Sequence, residues 1–238
     1  MSGVHVGLAE LEGNVERYAS KFDLVELRYE PGEAPKPKTL RAWRRAVSPA
    51  FTFSVVLPRV VSELAMTPAM DEALDEAIAV ATAVEARAII LPTTSSVRPT
   101  KTNVERLRAL AARLPRPGVL LGWEPHGIWE RAEILATAKV AGLSPVFDAA
   151  RETLPGGHLV YTRIRSLGGA QSLSSRTVEA VAEQLRGRRE AFVVVEHRPS
   201  ALRLKQQLTA TLDELGPVDG PIVVRPSPGR LRAEDEEQ

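Results

Sequence analysis

Residues 88–123 read AIILPTTSSVRPTKTNVERLRALAARLPRPGVLLGW. A short apolar run at 88–91 ends in a polar, proline-punctuated turn. Residues 103–114 then carry Val104, Leu107, Leu110, Ala111 and Leu114 at the three- and four-residue spacing of one helix face. A second apolar run comes next, at 119–123. Strand, amphipathic helix, strand is a βαβ unit. Near-continuous apolar strands are those of a parallel sheet covered on both faces.

The same unit repeats outward in both directions. Further apolar runs lie at 4–8, 24–29, 51–57, 145–147, 158–164 and 191–195, and helical spacing at 11–22, 39–47, 71–84, 129–141, 174–185 and 201–215. The run at 145–147 leads into a loop, so the sixth helix is weak or missing. Ser174 or Ser175 is placed to cap the seventh helix, Ser200 the eighth, and Gly142 to end the fifth. Eight strand–helix units in 238 residues predict α/β architecture, a single closed (β/α)8 barrel. An open doubly wound sheet would carry a glycine-rich first turn, and Gly7-Leu8-Ala9-Glu10 is not one. The expected division is a barrel over 1–216 and a Pro-, Gly- and charge-rich tail, partly disordered, over 217–238.

Composition narrows the function classes. Without cysteine there is no disulfide, thiolate metal site or cysteine nucleophile. Net charge is +1, so nucleic acid is not indicated by overall charge, and aromatic content of 5% argues against a base-stacking platform. No apolar run reaches the ~20 residues of a membrane span, and the first residues do not resemble a signal peptide. The expectation is a soluble, cytoplasmic protein. Oligomeric state is not legible.

Several stretches resemble one family. Phe51-Thr52-Phe53-Ser54-Val55-Val56-Leu57-Pro58-Arg59 is similar to the third-strand motif of the YecE-like domain-of-unknown-function family 72, and Val25-Glu26-Leu27 to its second. Trp123-Glu124-Pro125-His126-Gly127 with Trp129 resembles the fifth, Phe147-Asp148 the sixth, and Tyr161-Thr162-Arg163 with Gly168-Gly169 the seventh. The resemblance implies a TIM barrel and leaves activity open. It also marks departures: Arg28 stands where the family has Asn, Val56 for Lys, Glu63 for His, His126 for Arg, Arg165-Ser166 for His-Gly, and Glu196-His197 for Asn-Asn. Glu26, Pro58, Arg59, Glu124, Asp148, Tyr161 and Arg163 match. The chain reads as a diverged member.

In such a barrel, polar residues at strand C-termini face the mouth. Glu124, Asp148 and His126 are the expected acid–base residues. Arg59, Arg163, Arg165, Glu26, Tyr161 and Glu196 are the expected substrate contacts. Arginine's planar fork suits phosphate and carboxylate, and Arg28, Arg151 and Arg198 extend the set, with Arg28 expected to alternate outward. Glu26, Glu124, Asp148 and Glu196, with His126 or His197, also have the donor chemistry of a divalent-metal site. The same acids serve equally as arginine partners. Two functions are open: an enzyme acting on a small anionic, phosphate-ester-like substrate, or a non-catalytic ligand- or protein-binding barrel that has lost family site residues.

Overall fold

The structure is a computed structural model that describes residues 3–165 and 173–216. The strands are β1 (Gly3–Leu8), β2 (Leu24–Leu27), β3 (Thr52–Val56), β4 (Ala88–Thr93), β5 (Leu120–Pro125), β6 (Ser144–Pro145), β7 (Leu159–Ile164) and β8 (Glu190–Val195). All pair in parallel, in the order β6-β5-β4-β3-β2-β1-β8-β7. The two ends of that order meet at one parallel bridge, Phe147 to Thr162. The Thr162 hydroxyl reinforces it, donating to the Phe147 carbonyl at 2.8 Å and accepting from the Ala149 amide at 3.0 Å. The sheet is therefore a nearly closed barrel.

The helices are α1 (Val15–Ala19), α2 (Pro37–Ala46), α3 (Arg59–Ser62), α4 (Pro68–Ala83), α5 (Lys101–Arg113), α6 (Arg131–Ala141), α7 (Ser175–Leu185) and α8 (Arg198–Leu215). No helix intervenes between β6 and β7, as the weak sixth unit predicts. The tail over 217–238 and the Gly168-Gly169 turn lie outside the described residues. No helix among the described residues is long and apolar enough to cross a membrane.

Local chemistry sets the helix ends. Thr67, Thr100 and Ser174 each accept a backbone N–H three residues on. Gly142 ends α6 in the left-handed conformation, φ 68°, as its position predicts. Two expectations are corrected. The helix expected over 11–22 is only α1. Gly13 turns the chain at φ 65°, and Asn14 then caps α1 by accepting the Glu16 and Arg17 amides. Ser200 does not cap α8. That helix starts at Arg198, with Pro199 in the first turn, where its missing N–H costs nothing.

Strand alternation sorts side chains to two cores. Val6, Val25, Phe53, Ile89, Leu121 and Val160 face outward onto the helices. Leu24, Val56, Ile90, Leu120, Tyr161, Phe192 and Val194 fill the barrel interior. Glu26 lies two residues beyond Leu24, Ser54 two before Val56, Glu124 four beyond Leu120, and Arg163 two beyond Tyr161. The period of two thus sends all four toward the axis.

Trp123 and Trp129 pack edge to face at 5.0 Å with both indoles hydrogen-bonded, to the Thr93 hydroxyl and the Val97 carbonyl. They support the β5 loop. The basic turn at 186–189 anchors to carbonyls of Gly216, Gln184 and Gly157.

Candidate functional site

Arg163 is the centre of the mouth. It is buried, and it meets Glu26 through two parallel bonds: Nη1 donates to Oε1 at 3.0 Å and Nη2 to Oε2 at 2.8 Å. Its Nε donates to Glu124 Oε2 at 3.0 Å. Burying these charges would be costly singly. It is tolerated because Glu26 meets the guanidinium through a two-bond fork and Glu124 takes its Nε–H. The Tyr161 hydroxyl donates to Glu26 Oε2 at 2.6 Å and lies 3.0 Å from the Ser54 hydroxyl. Burial and the Glu26 charge push the Tyr161 phenol well above its ordinary value, so it stays a donor.

Two further arginines cap the cluster on its solvent side. Arg28 Nε donates to Glu26 Oε1 at 2.7 Å, and Arg165 Nη2 to Glu124 Oε1 at 2.7 Å. Their side chains are 47% and 37% exposed. Arg28 therefore turns back toward the cluster just past the end of β2, which corrects the expected outward alternation. Burial would raise the Glu124 carboxyl, but the charge of Arg163, then the hydrogen bond and charge of Arg165, hold it below its ordinary 4.5.

That depression fixes a pH dependence. A carboxylate lowered on folding stabilises the protein above its unfolded value, and the contribution is lost as pH falls through the folded value. The Glu124 contribution is thus complete above pH 4.5 and erodes below it. Urea midpoints measured from pH 7 to pH 3 are expected to fall less steeply below 4.5 in Glu124→Gln than in the parent. Identical slopes would mean that Glu124 carries no depressed proton affinity.

The remaining expected residues sit farther out. Asp148 is buried after β6; its Oδ1 accepts the Ala150 amide at 3.0 Å, its Oδ2 the Arg165 amide at 3.3 Å, and Arg151 lies 3.6 Å away. Glu196 is partly exposed, 3.8 Å from Arg163 Nε. Arg59 is exposed on α3 and pairs with Glu63 at 3.1 Å. Arg198 contacts Glu12 and lies 3.8 Å from Glu10. His197 turns to the Ser200 hydroxyl at 2.8 Å. His126 is exposed at the end of β5, and its ring makes no hydrogen bond among the described residues. The structure thus brings together Glu26, Glu124, Tyr161, Arg163 and Arg165, with Asp148 and Glu196 at the edge, and leaves Arg59 and His126 apart. Sequence reasoning misses Ser54 and the inward turn of Arg28. Ser54 is the polar residue inside the apolar run 51–57, and Arg28 stands two from Glu26, which are the signals that would find them.

Metal-donor oxygens of Glu26 and Glu124 are engaged by guanidinium groups. Among the described residues no cluster of three or more His, Asp or Glu side chains has the arrangement of a metal cage. Two depressions among the described residues open at the mouth. The larger, about 490 Å³, is lined by the ends of β2 to β5 and includes Arg28, Arg59, Thr94 and His126. The smaller, about 230 Å³, lies over β8 and β1 and includes Glu10, Glu12, Glu196 and Arg198, with Arg28 again at its edge.

A parallel eight-stranded ring with helices outside and an ion-pair cluster at the strand C-termini defines a (β/α)8 barrel whose polar centre lies at the mouth. The chain belongs to the family described as protein of unknown function DUF72, which it matches over residues 6–216. A DUF72 protein of Enterococcus faecalis V583 superposes with a TM-score of 0.68 at 17% identity, over 90% of this chain and 98% of that one. Another, of Thermotoga maritima MSB8, gives 0.62 at 16%, over 90% and 98%. An L-ribulose 3-epimerase gives 0.58 at 15%, over 90% and 95%, a likeness of fold. No curated protein sequence matches.

Proposed function

We propose that the chain binds a small anionic, phosphate-ester-like ligand at the C-terminal mouth, held by Arg28 and Arg165 above the buried cluster. The observation that carries this reading is a count: three guanidiniums, Arg28, Arg163 and Arg165, engage two carboxylates, Glu26 and Glu124. The two half-exposed arginines each use one N–H on their carboxylate, and a guanidinium offers five. Free N–H groups on planar forks are suited to phosphate oxygens. Arg163 serves as a positioning residue: it holds the carboxylates that in turn hold Arg28 and Arg165. Glu26 and Tyr161 belong to that support.

A second reading, a barrel that binds without catalysis, is favoured by the state of Glu124. A carboxyl held below 4.5 by two arginines does not donate a proton near neutral pH. Both readings share the anion site. Added phosphate is expected to raise the melting temperature of the parent beyond a matched chloride control, because a ligand selective for the folded state stabilises it by mass action. The gain is expected to vanish in Arg28→Ala with Arg165→Ala. No phosphate-specific rise in the parent, or an equal rise in the double variant, removes the anion site.

A further inference from the structure

We infer that the depression of about 490 Å³ beside the axis takes the hydroxyl-bearing body of that ligand, making its substrate class polyol or sugar phosphates. The inference rests on the anion site above and names what is attached to the anion. Arg28 lines this depression as well as capping Glu26, so a phosphate held by Arg28 lies at its edge, and a group esterified to that phosphate has room to extend into it. The volume lies within the ~300–1,000 Å³ usual for small-molecule sites. The other depression at Arg28 is the more acidic of the two, with Glu10, Glu12 and Glu196 against Arg28 and Arg198, where this one has Glu30 and Glu33 against Arg28 and Arg59.

The lining suits a body that is apolar on its ring faces and polar at its edges. Val56, Leu57, Pro58 and Pro92 supply aliphatic surface. His126 brings a ring without a hydrogen-bond partner, and Glu30 and Glu33 bring carboxylates that make no ion pair among the described residues. Those carboxylates repel a second negative charge and accept hydrogen bonds, which is the match for hydroxyl donors.

The test is titration calorimetry of the full chain with inorganic phosphate, ribose 5-phosphate and phosphoethanolamine. Ribose 5-phosphate is expected to bind about tenfold or more tightly than inorganic phosphate, a step of about 1.4 kcal/mol. Thr94→Phe fills the depression and is expected to abolish that gain while leaving phosphate affinity within about twofold. Arg59→Ala, an exposed change at another lining residue that keeps the core intact, is also expected to reduce the gain and serves alone if Thr94→Phe proves unstable. Ribose 5-phosphate no tighter than phosphate, or a gain that survives both variants, overturns the inference and leaves the anion site standing. Preference for phosphoethanolamine shows an amine subsite and overturns the hydroxyl assignment. Failure of all three to bind removes the anion site together with the inference.

Discussion

Arg163→Met is expected to destabilise the protein by about 3–5 kcal/mol, the range for removing one partner of a buried ion pair. For a chain of this size that is roughly 6–20 °C in melting temperature. The cost arises less from the lost bonds than from what remains. Glu26 and Glu124 would be buried with no charge at the centre of the cluster, and the Tyr161 hydroxyl would satisfy only one oxygen of Glu26. Arg28 and Arg165 are half-exposed and attach to the outer oxygens, so their help is screened by water. A rescue is expected. Glu26→Gln and Glu124→Gln added to Arg163→Met remove the orphaned charges and are expected to recover part of the loss, measured by urea unfolding. Arg59→Ala provides the contrast: its pair with Glu63 is at the surface, and the change is expected to stay within about 0.5 kcal/mol. If Arg163→Met costs no more than Arg59→Ala, the cluster does not organise the mouth.

Much of this cluster is legible in the sequence because strand alternation is a rigid rule. Glu26 beside Leu24, Glu124 after Leu120 and Arg163 after Tyr161 share parity with interior residues, so their convergence is dictated once the ring closes. What the sequence does not carry is the pairing. Six arginines and four acids at strand ends can be matched in many ways, and a mouth of free guanidiniums reads the same as one in which each acid is already engaged. Arg28 illustrates this. Its own parity places it with Glu26, yet it lies past the last paired residue of β2, where alternation need not persist. His126 shows the opposite case. It is two residues from Glu124, but β5 ends at Pro125, and the side chain lines the depression instead of joining the cluster. The starts of α1 and α8 escape apolar spacing for a local reason: Gly13 and Pro199 impose backbone geometry that outranks it.

Closure of the ring gives the second large expectation, at Gly7. Strands β1 and β2 pair over only two rungs, Gly7 with Leu24 and Leu8 with Val25. The seam is strengthened from α1: the Tyr18 hydroxyl accepts the Leu8 amide at 2.8 Å and donates to the Leu24 carbonyl at 2.8 Å. A Cβ at Gly7 would lie 1.7 Å from that same Leu24 oxygen and 2.4 Å from its carbon. Both are backbone atoms, so no rotamer change relieves the clash, and β1 must move away from β2 for alanine to fit. Movement large enough to do so breaks the Gly7–Leu24 rung and pulls the Leu24 carbonyl from Tyr18. Gly7→Ala is therefore expected to reach or exceed the upper end of overpacking costs, about 3 kcal/mol. The loss of seam pairing should appear as faster amide exchange at Leu8 and Val25 than at the β7–β8 pairing, which has six rungs. Because Glu26 stands two residues beyond Leu24, the displacement would also shift the carboxylate that holds Arg163, and phosphate-dependent stabilisation should weaken in the same variant. An alanine variant with parental stability and parental exchange at Leu8 would show that β1 and β2 are not in the close contact on which this seam depends.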